Sequence, residues 1–326
     1  MSAASRPRLR GLCVLAALCA LFVAAPAANA AQNDPVIQAP VAGGTYLALG
    51  DSLAFGYQTA RLQACAGTGC TSPDTQYPTS YPTSFGQLFG ASALNVRTVN
   101  LGCPGETSGT LINDTNATTG CTTYPFALHD NHPGKTQLQA AIDTVQTYGK
   151  RVSPITIDIG ANDVLRMVNG QCTTAGVISL TCVQQNAPAT FATVQSNLDY
   201  TLNALRQAGG VKHEIIVIGL YNPLYPAIFN QVLTQTGNPA IATQAADGTD
   251  ALLAQLNALQ STTAAKYRAV FANPAPTFNP PGAPHPQLEL GTICTLTAVC
   301  GPLQDIHPTD SGYAAYANVV KQASGF

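Results

Sequence analysis

The chain has 326 residues, enough for one large domain, and 46% of them are hydrophobic, enough for a sizeable core. Charged residues make up only 9% and the formal net charge is −2, so no basic stripe is available to bind nucleic acid. A surface so poor in charge draws its polarity from Thr, Asn, Gln and Ser, which suits an exported protein.

Residues 1–30 read as an export signal. Arg6, Arg8 and Arg10 form a basic start, residues 11–25 are apolar, and Ala28-Asn29-Ala30 resembles a small-residue cleavage site. The apolar run is short for a membrane span and Pro26 follows it. No later segment reads as transmembrane, so the mature chain is expected to be secreted, with no stable membrane insertion. Three of the 14 basic residues lie in the signal; without them, 11 basic residues face 16 acidic ones, a net charge of −5. Residues 31–44 read as a lead-in and 45–326 as a single domain, expected to be a monomer.

Eight of the ten cysteines lie beyond residue 30, in four close couples: Cys65 and Cys70, Cys103 and Cys121, Cys172 and Cys182, Cys294 and Cys300. An even count in an exported chain argues for disulfides. Many pairings are open. Pairing within each couple is expected because each brackets a loop rich in Gly, Thr or Pro. The spacings match no common zinc pattern.

Five short runs rich in Val, Ile or Leu read as buried strands: residues 45–49, 96–101, 155–159, 214–219 and 267–272. Helical patterns occupy 136–148, 189–208, 249–266 and 309–322, the last with Thr309 or Asp310 as a cap. Alternating strands and helices predict a parallel sheet covered on both faces. The linkers 57–79, 108–134, 167–187, 221–240 and 273–306 read as long and irregular. Most follow the carboxyl ends of strands, where open α/β sheets bind ligands.

The first strand runs into Gly50-Asp51-Ser52, exposing Ser52 at its carboxyl end. A serine hydroxyl is a poor nucleophile until a base accepts its proton. His307, in Asp305-Ile306-His307-Pro308 just before the last helix, is the best base among five histidines. A carbonyl under attack also needs donors for its developing negative charge. The N–H of Ser52, the N–H of Gly105 (in Asn100 to Thr107) and the side-chain amide of Asn162 (in Gly160-Ala161-Asn162-Asp163) can supply them. Asp51 is expected to shape its turn, Asp163 to satisfy loop amides, and Asp158 to act as a buried acceptor. His129 and His132 read as an exposed loop. Asn113-Asp114-Thr115 and Asn116-Ala117-Thr118 fit the glycosylation acceptor pattern.

These four blocks, in order along the chain, resemble those of GDSL esterases and lipases of the SGNH hydrolase superfamily. The four residues that name the superfamily match Ser52, Gly105, Asn162 and His307. The resemblance implies a flavodoxin-like three-layer α/β/α sandwich with a five-stranded parallel sheet. It also implies hydrolysis of small-molecule or lipid carboxylic esters through an acyl-serine, with no metal and no cofactor. One departure stands out. The family's aspartate usually lies three residues before the histidine; that position here is Gln304, and Asp305 lies two before. Either Asp305 or a main-chain carbonyl of residue 304 or 305 orients His307. The G-x-S-x-G elbow of α/β-hydrolases is absent.

Two rival functions remain open. The same apparatus could serve a carbohydrate acetyl esterase, with Tyr77, Tyr81, Tyr124, Tyr221 and Tyr225 as platforms for sugar rings. The chain could also be an inactive exported binding domain. A nucleotide-binding flavodoxin-like protein is disfavoured, because Asp51 occupies the place where an anion would sit.

Overall fold

Five short segments, most of them largely buried, pair side by side in parallel. They are β1 (Thr45–Gly50), β2 (Arg97–Asn100), β3 (Val152–Asp158), β6 (Ile215–Ile218) and β7 (Val270–Ala272), ordered β2-β1-β3-β6-β7. Between β3 and β6 lies a small antiparallel hairpin, β4 (Thr173–Thr174) and β5 (Val177–Ile178). The computed structural model describes residues 34–67, 69–90, 94–113, 127–209 and 213–324, within the unit Asn33–Phe326. The export signal, Cys121, Tyr124 and Asn116-Ala117-Thr118 lie outside them.

Thirteen α-helices are described: α1 (Ser52–Phe55), α2 (Thr59–Cys65), α3 (Pro73–Gln76), α4 (Tyr81–Gly90), α5 (Ser108–Asn113), α6 (Gln137–Tyr148), α7 (Ala161–Gln171), α8 (Leu180–Gly209), α9 (Tyr225–Thr236), α10 (Pro239–Lys266), α11 (Ala275–Phe278), α12 (Gln287–Leu296) and α13 (Asp310–Ser324). Successive strand side chains point to opposite faces, and the core divides accordingly. Tyr46, Ala48, Ile216 and Ile218 pack with Phe85 of α4 and Tyr316 and Val320 of α13. Leu47, Leu49, Ile155 and Ile157 pack on the other face with Leu138 of α6 and Leu202 of α8. The fold is therefore a three-layer α/β/α sandwich, and its strand order is that of flavodoxin-like sheets.

The linkers are far more helical than their sequence suggests. Residues 57–79 hold α2 and α3, 108–134 begins with α5, 221–240 holds α9, and 273–306 holds α11 and α12. In α9, proline in the first turn and left-handed Gly237 at the end were boundary signals obscured by polar residues between them. Helix α8 begins at Leu180 and carries Pro188 inside it, against the usual helix-breaking effect of proline. Helix α10 begins at Pro239, where the Asn238 side chain accepts from two free amides. Strand β7 starts only at Val270, because α10 runs to Lys266 and Arg268 takes a left-handed φ of 54°.

Disulfides Cys65–Cys70, Cys172–Cys182 and Cys294–Cys300 fasten three of these segments. Cys103 is also disulfide-bonded. His129 lies in a loop whose Asn131, Pro133 and Gly134 are exposed, but its own side chain is only 8% exposed. Its ring sits between the Asp74 carboxylate at 2.6 Å and the Phe55 carbonyl at 2.9 Å, so it ties two segments together. His132 is half-buried.

Glu214, just before β6, is fully buried. One carboxylate oxygen accepts from the Gln38 N–H at 3.1 Å; the other meets no donor among the described residues. Burial pushes this carboxyl from 4.5 up to about 8. Between those values the folded protein holds a proton that the unfolded chain has released, so stability falls as pH rises through that window. Glu214→Gln is expected to flatten this dependence and raise the urea midpoint at alkaline pH. A wild-type slope in the variant would assign the titration to another group.

Candidate active site

The site forms where the chain leaves the carboxyl edge of the sheet. At the end of β1, Gly50 adopts a φ of 150°, and a Cβ there would strike Asp158 Oδ1. The chain then turns sharply into α1. The Gln137 side chain grips Gly50 from both sides, accepting from its N–H at 2.6 Å and donating to its carbonyl at 3.0 Å. Asp51 Oδ1 accepts from the Leu53 N–H at 2.9 Å and caps the short helix. Ser52 is thus held at the first position of α1, 9% exposed.

His307 approaches from the loop before α13. Its Nε2 lies 2.8 Å from Ser52 Oγ, and its Nδ1 lies 2.5 Å from Asp305 Oδ1. The same Asp305 oxygen accepts the His307 backbone N–H at 3.2 Å, while Oδ2 accepts the Thr59 N–H at 2.7 Å. Burial raises the Asp305 carboxyl, but the hydrogen bond and charge of His307 and the two amides outweigh it. The group lies below the usual carboxylate range. A two-residue separation therefore suffices, because the turn folds the carboxylate back under the imidazole.

Asn162 sits in the first turn of α7, entered through Gly160 at a φ of 109°. Its Nδ2 donates to the Glu106 carbonyl at 2.9 Å and to Asp51 Oδ2 at 3.3 Å. Gly105 has a left-handed φ of 81°, and its carbonyl accepts from Arg166 at 3.1 Å. Among the described residues, the N–H groups of Ser52 and Gly105 make no hydrogen bond. Asp163 accepts the Ser108 N–H at 2.8 Å and hydroxyl at 2.7 Å, joining the segment after Gly105 to α7. Ser52, Gly105, Asn162, Asp305 and His307 all line one cavity of about 420 Å³. Its deeper wall is apolar: Val168 of α7, Val183 and Phe191 of α8, Leu220, and Leu252 and Leu256 of α10.

Several positioning groups carried no sequence signal, because their partners are distant along the chain. Tyr221 donates to the Ile306 carbonyl at 2.6 Å, and Tyr313 to the Tyr57 carbonyl at 2.8 Å. The Tyr57 ring lies 4.7 Å from the His307 ring. Of the tyrosines considered as sugar platforms, Tyr77, Tyr81 and Tyr225 are fully buried, and Tyr221 is 6% exposed. Away from Ser52, Asp247, His285 and Glu289 bring ligand atoms within 4.8 Å of one another, a grouping able to hold a metal ion. Internal contacts already occupy it: His285 with Asp247 at 2.9 Å, and Asn279 with Glu289 at 3.0 Å.

The sequence model of the GDSL-like lipase/acylhydrolase family matches residues 48–315. No curated protein matches the chain significantly. Among solved structures, an extracellular lipase from Streptomyces rimosus is 19% identical with a TM-score of 0.52, covering 86% of this chain and 99% of its own. A lipase from a goat rumen metagenome is 15% identical with a TM-score of 0.50, covering 86% and 96%. An acetylxylan esterase from Geobacillus stearothermophilus is 16% identical with a TM-score of 0.49, covering 88% and 96%. At these identities the likeness concerns the fold.

The short contact between His307 Nδ1 and Asp305 predicts a strongly downfield, exchange-protected ring proton in the NMR spectrum. Asp305→Ala should remove it. Its persistence in that variant would assign the acceptor to a main-chain carbonyl.

Proposed function

The chain belongs to the GDSL-like lipase/acylhydrolase family and is a carboxylic ester hydrolase; from that premise we propose that Ser52 is its nucleophile and His307 its general base. The observation that carries this reading is the hydrogen-bonded chain Ser52 Oγ, His307 Nε2, His307 Nδ1, Asp305 Oδ1, with contacts of 2.8 and 2.5 Å. Ser52 Oγ attacks the acyl carbon and passes its proton to His307 Nε2. Asp305 holds the productive tautomer and stabilises the imidazolium. The carbonyl oxygen becomes an oxyanion held by the Ser52 and Gly105 N–H groups and the Asn162 amide. For this, the Asn162 hydrogen on the longer bond to Asp51 turns to the oxyanion, while the other stays on the Glu106 carbonyl. His307 then returns the proton to the departing alcohol, leaving acyl-Ser52. Water, deprotonated by the same imidazole, releases the acid and restores the serine.

The apolar wall beyond Ser52 supports an extended acyl group over acetate. At roughly 30 Å³ per water-sized group, a cavity of about 420 Å³ has room for much more than an acetyl methyl. Burying methylenes contributes about 0.8 kcal/mol each. Export is part of the proposal, supported by the signal-like residues 1–30 and the disulfides. Among the described residues, no helix is long and apolar enough to cross a membrane.

Ser52→Ala should abolish turnover of p-nitrophenyl esters, and a serine-directed phosphonate should label the wild type at Ser52; labelling elsewhere refutes the assignment. Asp305→Ala should lower kcat by roughly 10²–10⁴, the usual worth of general-base help, with the circular dichroism unchanged. In an ester panel of graded length, kcat/KM should rise from acetate to medium-chain acyl groups. A maximum at acetate, with activity on acetylated xylan, would favour the carbohydrate esterase.

A further inference from the structure

Two carboxyl groups lie under the serine turn with no lysine or arginine facing them among the described residues. Asp158, at the end of β3, is fully buried, and Asp51 is 1% exposed. Asp158 Oδ1 accepts the Tyr81 hydroxyl at 2.5 Å, and Oδ2 accepts the Asp51 N–H at 3.3 Å. That backbone contact places the two carboxyl groups in one buried site, each shifting the other's titration. The titratable groups facing the pair come from every neighbouring element: Tyr46 from β1, Tyr81 from α4, Asp163 from α7, Tyr221 after β6, Asp305 and His307 from the loop before α13, and Tyr313 and Tyr316 from α13. None is lysine or arginine.

Where two carboxyl groups share a buried site, one is pushed strongly toward its protonated form. Geometry decides which keeps the proton. Asp51 accepts two N–H contacts of its own, from Leu53 at 2.9 Å and Asn162 at 3.3 Å, which favours its charged form. Burial pushes Asp51 up to about 6 and raises Asp158 well above the usual carboxylate range, the charge of Asp51 adding to the latter shift.

We propose that Asp158 is a positioning residue for the oxyanion niche: it stays a neutral acid, donates to Asp51, and holds that carboxylate on the Leu53 N–H. The proposal rests on the reading of Ser52, His307 and Asn162 given above. Two effects follow. One negative charge, not two, lies beneath the place where the oxyanion develops, so the developing charge meets less repulsion. Asp51, occupied by the acid proton, also competes less for the Asn162 hydrogen that must turn to the substrate oxygen. Tyr81 fixes the acid from behind, and the absence of a side chain at Gly50 leaves room for it.

Three variants test this: Asp158→Asn, Asp158→Leu and Tyr81→Phe. Asp158→Asn replaces the acid O–H with an amide N–H donor and should retain most of kcat. Asp158→Leu keeps the bulk but loses the donor; its kcat should fall about tenfold or more at unchanged KM, because donors at the oxyanion act in the transition state. Phosphonate labelling of Ser52 should slow in parallel, and Tyr81→Phe should show a smaller loss of the same kind. An infrared difference spectrum, wild type minus Asp158→Asn at neutral pH, should contain the carbonyl stretch of a protonated carboxyl group. Wild-type kcat in Asp158→Leu, equal losses in the Asn and Leu variants, or absence of that band would each overturn the proposal. If Asp158→Leu does not fold, the Asn variant and the infrared band still decide. Failure of the underlying reading would show separately, as turnover persisting in Ser52→Ala whatever occupies position 158.

Discussion

The sharp turn at Gly50-Asp51-Ser52 is the constraint on which the site depends. A parallel strand ends there and a helix of four residues begins, so the backbone must leave the sheet abruptly. Gln137 holds Gly50 by both its N–H and its carbonyl, and Asp158 holds the Asp51 N–H from the next strand. These contacts join β1, α6 and β3 at one point. The Ser52 hydroxyl is fixed in space by the sheet itself, with no need for a mobile loop to deliver it. Groups on rigid elements keep the sub-ångström tolerances that proton transfer requires.

The imidazole is fixed differently. It lies on a loop, and a loop needs several independent tethers to match the rigidity of a strand. Asp305 supplies one by accepting the ring and the His307 amide together, and by reaching across to the Thr59 N–H. Tyr221 supplies another through the Ile306 carbonyl, and its ring stacks on Phe278 at 4.5 Å. Helix α13 begins three residues after His307 and anchors the far side through buried Tyr313 and Tyr316. A carboxylate two residues before the histidine thereby reaches the imidazole, one residue nearer than the family's usual aspartate.

The site has two unlike halves. One is polar and sits over the carboxyl edge of the sheet. The other is the apolar cavity wall from α7, the amino-terminal part of α8 and α10, whose buried residues form their own cluster. Asn162 opens α7 at the junction, and the Cys172–Cys182 disulfide links the end of that helix to the start of α8. The wall is thus cross-linked between α7 and α8. An enclosing wall that excludes water also strengthens the electrostatic contacts at the polar end.

The five strands were legible because buried parallel strands are near-continuous apolar runs, which few other structures mimic. Helices α2, α3, α9, α11 and α12 were not. Most are short, and their stability comes from packing and disulfides that no local pattern encodes. The early starts of α8 and α10 were hidden for the same reason. The burial of His129 was not legible because it depends on Phe55 and Asp74, far away in sequence.

By itself the sequence determined the α/β class, the order of the strand and helix patterns, and the candidate residues Ser52, Gly105, Asn162 and His307, since each is marked by its own neighbours along the chain. Only the tertiary structure decided that Asp305 faces the imidazole, that Asp158 meets Asp51, and that the wall beyond Ser52 is apolar. Those are contacts between segments separated by loops or by the sheet. Their distances follow from how the chain packs, and local pattern carries no information about them.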